Sequence, residues 1–276
     1  MILVMTDDVF KQTRDFIYEK SGIFVPDNKK YFLENRLGRR VQEKQLKGFE
    51  DYLYIIKYGA DKNELVTLFN LVTTNETFFF REPQQFEVFC GELFNRIKAE
   101  NTKSGRKDIR IWSAASSTGE EAYTLAMIMT EKPEMKALRP EVAASDISES
   151  VLASARAGVY GSYAVRNIPE NYLKKYFTGS NQQFMLSPAV KSMVKFMRIN
   201  LVEDRDVKAL KGMDVIFCRN VLIYFDDKAK QKAVSLMYDA LRPGGYLFVG
   251  TSESLHNITR AFRPIVINKV IVYQKV

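Results

Sequence analysis

The spacing of apolar and polar positions divides the chain into a helical first part and an α/β remainder. Val9, Phe10, Phe16 and Ile17 recur at helical spacing between Asp7 and Lys20; Gly22 ends that helix and Pro26 starts the next segment. Leu33, Leu37 and Val41 put one apolar stripe on a long amphipathic helix over 28–47, capped at Asp27 or Asn28. Residues 49–58 and 63–72 give two shorter helices, broken at Gly59. Thr73 to Thr77 interrupts the period, Pro83 starts a helix to about Lys98, and 99–107 reads as a polar loop. From Ile109 the pattern changes. Ile109, Ile111 and Trp112 read as a strand, 113–121 as a tight loop, and 122–129 as a helix. Val142, Ala143 and Ala144 begin a second buried strand that ends at Ser145-Asp146. Ser148 caps a helix through Ala157. Residues 160–198 carry Gly161, Pro169, Gly179 and Pro188 with short β runs at 183–186 and 194–199, and read as a small hairpin insertion. A strand over 215–217, a helix from Asp226 to about Leu241, a turn at 242–246 and a strand over 247–250 follow. A hairpin turning at Asn268-Lys269 closes the pattern.

Composition narrows the class. With 276 residues and 46% hydrophobic positions, the chain can bury one large core or two. No run approaches the ~20 apolar residues of a membrane span. The opening MILVM is too short for a signal peptide. Two cysteines, Cys90 and Cys218, give neither a disulfide framework nor zinc spacing, so a reduced, cytoplasmic protein is expected. His256 is the single histidine, which excludes multi-histidine metal sites and argues against a histidine-based triad.

The net charge is +8. Much of it sits on the helix over 28–47, where seven basic residues stand against two acids. At 100° per residue, Lys29, Arg36, Arg40 and Lys47 fall within roughly 40° of one another. A charge run is most often a solvated face. Concentration on one stripe favours a docking face for an acidic partner, with Arg39 beside it.

The strand–loop–helix–strand from Ile109 to Asp146 is the layout of a βαβ nucleotide-binding unit. Its loop has one glycine, Gly119, followed by Glu120 and Glu121. Phosphate binders need several glycines to bring backbone N–H groups close. Two carboxylates at a helix N-terminus would repel a pyrophosphate and suit a ligand with a ribose and a cation. S-adenosylmethionine is such a ligand. Glu120 and Glu121 also read simply as capping residues after Ser117 or Thr118.

With these pieces in order, the chain resembles the bacterial chemotaxis receptor methyltransferases, the CheR family. The resemblance rests on TTNETFFFRE (73–82), WSAASSTGEEAYTLAM (112–127), ASDIS (144–148), INL (199–201), FCRNVLIYF (217–225) and LRPGGYLFVGTSES (241–254), with the basic N-terminal domain. It implies a helical receptor-docking domain over 1–80. It implies a Rossmann-like methyltransferase domain over 81–276, with the small antiparallel β insertion near 160–198. Members transfer methyl from S-adenosylmethionine to chemoreceptor glutamates, making methyl esters.

Carried over by position, cofactor contacts fall on Asn75, Thr77, Arg81, Glu120 (less so Glu121), Asp146, Asn200, Leu201, Arg219 and Asn220. Asp146 would take the ribose hydroxyls, and Asn200 and Leu201 the adenine. Tyr224 would stand beside the transferred methyl, and Arg81 with Tyr224 would orient the substrate carboxylate. The implied partner is the cytoplasmic helical bundle of chemoreceptors, bound by a monomer without membrane insertion and without nucleic acid. A nucleic-acid methyltransferase is the competing reading from the charge. It would carry Asn/Asp-Pro-Pro-aromatic where this chain has RNVLIYF. A non-catalytic docking module is the third, and the intact GEE, SD and RN positions oppose it.

Overall fold

The computed structural model describes residues 4–179 and 182–276. The first three residues of the MILVM opening, and Ser180-Asn181 inside the expected insertion, lie outside the described residues. Four helices come first: α1 (Asp7–Ser21), α2 (Lys30–Glu43), α3 (Phe49–Tyr58) and α4 (Lys62–Val72). Thr6 accepts from Val9 N to cap α1, and Gly22 at φ 74° ends it. The helix expected over 28–47 is shorter. A 3-10 turn at Asp27–Lys29 precedes it, and Gln45 at φ 56° lies just beyond its end. Leu33, Leu37, Val41, Tyr52, Leu53 and Leu68 form the core of this bundle.

The helix from Pro83 runs further than its polar tail predicts. Pro83–Val88, a wide turn at Phe89–Leu93 and Phe94–Lys103 follow one another, so most of the expected loop is helical. The reason is anchoring. Asn101 is buried, donates to Asp108 O at 2.8 Å and accepts from Arg242 Nη1 at 2.7 Å.

The strands are β1 (Ile109–Ala114), β2 (Pro140–Asp146), β3 (Val159–Tyr160), β4 (Phe177–Thr178), β5 (Phe184–Leu186), β6 (Val194–Arg198), β7 (Met213–Cys218), β8 (Leu241–Val249), β9 (Phe262–Ile267) and β10 (Val270–Lys275). Seven of them form one sheet in the order β6-β2-β1-β7-β8-β10-β9. β6, β2, β1, β7 and β8 are parallel, and β10 and β9 pair antiparallel at the edge. The order reverses at β1, so a crevice opens beyond the C-terminal ends of β1 and β7. β3, β5 and β4 make the separate small antiparallel sheet.

Two expectations about strands change. The run 194–199 does not belong to the small sheet: Val194–Arg198 lies parallel to β2, with Val142 opposite Val194 and Asp146 opposite Arg198. A short β run carries no label for its partner, and only the buried edge of β2 selects it. The turn expected at 242–246 is part of β8, with a register irregularity opposite Met213 and Val215.

The sheet is buried on both faces. On one, the rings of Phe217 and Phe248 stack at 4.5 Å, with Phe86 and Phe89 against Phe217. On the other, Trp112, Ile216 and Leu247 pack with the helix Asp227–Ala240. At the outer edge, β9 leaves Val266 69% exposed opposite Ile271, with Arg263 and Pro264 earlier in the strand.

The helical bundle is fastened to the sheet domain by polar contacts. Tyr18 Oη donates to the Asp226 carboxylate at 3.0 Å. Asn200 Nδ2 donates to Lys20 O at 2.6 Å, and Phe24 N to Tyr224 O at 2.9 Å. Asn70 Oδ1 accepts from Ser148 Oγ and Ser150 N.

Candidate active site

Three loops and the interdomain linker converge on one cleft at the crevice. The first is the turn from β1 to the helix Glu120–Glu131. Ala115 and Ser117 sit at φ 55° and 50°, and Gly119 at 92°. A Cβ on Gly119 would lie 3.0 Å from Ala155 Cβ and Phe196 Cζ, so the turn needs glycine there. Asp146, at the tip of β2, fixes this loop: Oδ2 accepts Ser117 N at 3.0 Å and Oδ1 accepts Ser148 N at 2.9 Å. Burial pushes the Asp146 carboxyl up, and the two N–H groups oppose that.

The two glutamates after Gly119 part company. Glu120 is 2% exposed and, among the described residues, accepts only Thr118 Oγ1 as a side-chain donor, at 2.9 and 2.7 Å. Burial raises its carboxyl to about 7. It does not line the cleft. Glu121 does. Its Oε1 accepts Ser113 Oγ at 2.7 Å and its Oε2 meets Arg219 Nη1 at 3.0 Å. The structure thus puts Glu121 rather than Glu120 on the cleft wall.

The second loop follows β7. Arg219 is buried against the Phe86 ring, pairs with Glu121 and Glu82, and donates to Arg81 O. Asn220, at φ 56°, donates from Nδ2 to Glu82 Oε1 at 3.3 Å. The 3-10 turn Leu222–Tyr224 puts Tyr224 on the wall. The third loop follows β6. Asn200 Oδ1 accepts Val202 N at 3.2 Å while its Nδ2 reaches Lys20 O, so much of its side chain is committed to the fold. Leu201 lines the cleft beside it.

The linker supplies Asn75, Thr77 and Arg81. Asn75 O accepts Ser117 Oγ at 3.1 Å, and Arg81 donates to Glu76 O at 3.0 Å while lying over Phe78. Phe80 and Glu82, in the linker, are left-handed at φ 56° and 57°, as are Ala115, Ser117 and Asn220 on the cleft wall. All the site residues expected from the motifs line it except Glu120. The helical domain adds Phe24, Val25 and Lys29, which no motif pointed to as part of the cleft.

The residues fit S-adenosylmethionine on the chemistry of the donor set. A carboxylate at the tip of β2 suits a ribose diol, and Glu121 suits an ammonium. Ser116 Oγ and Arg219 Nε are buried, on cleft-lining residues, and have no partner among the described residues. Buried polar groups of this kind accept a polar ligand.

The cationic helix is less free than its sequence implies. Arg40 is held on Glu64 by two bonds, Nε at 2.9 Å and Nη2 at 2.8 Å, and Lys44 pairs with the same carboxylate. Tyr52 Oη adds a third donor. Burial would raise Glu64, but the bonds from Arg40, Lys44 and Tyr52 outweigh it and hold the carboxyl at about 2. Arg39 pairs with Glu43 on the surface. Arg36 is exposed and lies over Phe32, Lys47 is exposed, and Lys29 borders the cleft.

A doubly wound sheet with an acid at the end of β2, and a cleft suited to an adenosyl sulfonium rather than a phosphate, defines a class: the S-adenosylmethionine-dependent methyltransferases. The chain belongs to the CheR methyltransferase family. The family's all-alpha domain model matches residues 8–73 and its SAM-binding domain model matches 75–271. Chemotaxis protein methyltransferase 2 of Vibrio cholerae is 38% identical over 262 residues, covering 94% of this chain and 90% of that one. The chemotaxis protein methyltransferase of Vibrio parahaemolyticus is 35% identical, covering 99% and 98%. That of Escherichia coli is 33% identical, covering 94% and 89%. The protein is thus an S-adenosylmethionine-dependent methyltransferase of chemotaxis. No helix among the described residues is long and apolar enough to cross a membrane.

Proposed function

We propose that this enzyme converts glutamate side chains on the cytoplasmic helical bundle of chemoreceptors to γ-methyl esters, acting in the cytoplasm as a monomer. Residues 1–80 serve docking, and residues 81–276 carry the transfer. The observation that carries this reading is continuity. Lys29 borders the cleft, and the exposed Arg36 lies further along the cationic helix that begins beside it. An acidic helix held on that face would bring a carboxylate to the cleft mouth.

The chemistry asks little of the protein. A glutamate is already anionic at neutral pH, with an ordinary pKa of about 4.3, so no general base is required. The bound cofactor supplies an activated methyl on a sulfonium. Asp146 holds the ribose, Asn75, Thr77, Asn200 and Leu201 line the adenosyl side, and Glu121 faces the ammonium. Arg219 and Asn220 complete that wall. Arg81 and Tyr224 orient the substrate carboxylate. Arg81 has five N–H donors, of which one is spent on Glu76 O. Alignment and exclusion of water do the rest.

The test is transfer of labelled methyl from S-adenosylmethionine to a purified chemoreceptor cytoplasmic fragment, then brief mild base. Label released as methanol supports carboxyl esters. Label stable to base would mean N-methylation and overturn the assignment.

A further inference from the structure

Glu253 lies in the GTSES stretch after β8, and the site described above gives it no task. Its carboxylate accepts three backbone N–H groups. Oε2 takes Asn220 N at 2.8 Å and Gly250 N at 2.6 Å, and Oε1 takes Ile223 N at 3.2 Å. Gly250 makes this possible: a Cβ there would stand 2.8 Å from Glu253 Oε2 and 2.8 Å from Asn220 Nδ2. Asn220 is left-handed, and Ile223 lies within the 3-10 turn that carries Tyr224. One carboxylate therefore pins both ends of the loop between Arg219 and Tyr224. It does so from behind, since Glu253 is not part of the cleft wall. Glu82 grips the same loop from the linker, through Arg219 Nη2 at 3.2 Å and Asn220 Nδ2 at 3.3 Å.

We propose that Glu253 is a positioning residue for methyl transfer. It holds the β7 loop so that Arg219, Asn220 and Tyr224 face cofactor and substrate carboxylate together. The inference rests on the roles proposed for those three residues. It needs a carboxylate rather than a shape. A glutamine has one acceptor oxygen and one NH2, and the NH2 would confront a backbone N–H.

The experiment compares the full chain with Glu253→Gln, Glu253→Asp and Glu253→Ala. It measures kcat and KM on a chemoreceptor cytoplasmic fragment, and amide exchange over 219–224. The Gln and Ala variants should lose about 10- to 100-fold in kcat, the scale of a misplaced reacting group, with KM for the fragment unchanged. The Asn220 and Ile223 amides should exchange faster in both, and Asp should recover part of each effect. Full activity in the Gln variant, with loss in Asp, would mean a shape-only brace and would overturn the proposal. So would unchanged exchange in the Ala variant. Should the unsubstituted chain transfer no label to the fragment, the receptor assignment fails separately, and the exchange rates still decide the loop.

Discussion

Glu120 shows what a single buried carboxyl does to this protein. Its ordinary pKa near 4.5 is raised to about 7 by burial. The fold therefore favours its neutral form, so the stability that Glu120 contributes is fully present below pH 4.5 and is lost as pH rises through 7. Glu120→Gln should raise the stability at pH 8 by on the order of 3 kcal/mol, seen as a higher melting temperature, and change little near pH 4. Scanning calorimetry at both values checks this; equal curves at pH 8 would mean that the carboxyl is not strained. Asp146 is a second buried acid pushed up by burial, but it has a backbone N–H on each oxygen and lines the cleft. Asp146→Ala removes the proposed ribose acceptor and the brace on Ser117, and should weaken cofactor binding by roughly 100-fold or more in calorimetry. The motif GEE was plain in the sequence, but which carboxylate faces the cleft was not. Adjacent helical positions differ by about 100°, and the left-handed Ala115 and Ser117 set where the helix starts its rotation.

At the scale of elements, the cationic helix α2 is two things at once. Arg40 and Lys44 neutralise the buried Glu64, while Arg36 and Lys47 face solvent. Arg40→Ala should cost about 3 kcal/mol or somewhat less, because Lys44 remains, and urea unfolding would register it. Arg36→Glu should leave the unfolding curve alone and lower receptor methylation, most strongly at low salt. A fall in stability from Arg36→Glu would show that its seat over Phe32 matters to the fold. Glu64 adds an acid limit. With its carboxyl held at about 2, the stability it contributes is present above pH 4.5 and disappears as pH falls toward 2. Helical periodicity revealed the basic stripe, since spacing is local. It could not reveal Glu64, which approaches from α4, because pairing across a bundle leaves no trace in one helix. The same limit explains β6: its residues read as a strand, but only tertiary contact assigns it to the sheet rather than to the insertion.

For the whole molecule, the cleft belongs to both parts of the chain. Phe24, Val25 and Lys29 stand on its wall with Asn75 and Thr77, and Asn200 reaches Lys20 O. A fragment of residues 81–276 should bind S-adenosylhomocysteine at least about tenfold more weakly than the full chain, a loss of some 1.4 kcal/mol. Equal affinity would show that the sheet domain completes the cleft alone. The order of strands, helices and motifs was readable along most of the chain, because each motif sits where an element ends. How the bundle closes over the crevice was not, since it depends on polar contacts between residues far apart in sequence. The outer strand β9 has a different consequence, for how these molecules treat one another when crowded. Its free edge displays Val266 beside Ile271, an invitation to add a strand from a neighbour. Pro264 withholds one donor there, and Arg263 adds charge. Replacing Pro264 with threonine should leave catalysis alone but speed aggregation on warming, visible as earlier light scattering. The edge of the sheet is thus blunted at Arg263 and Pro264, a feature quite separate from the cleft at its centre.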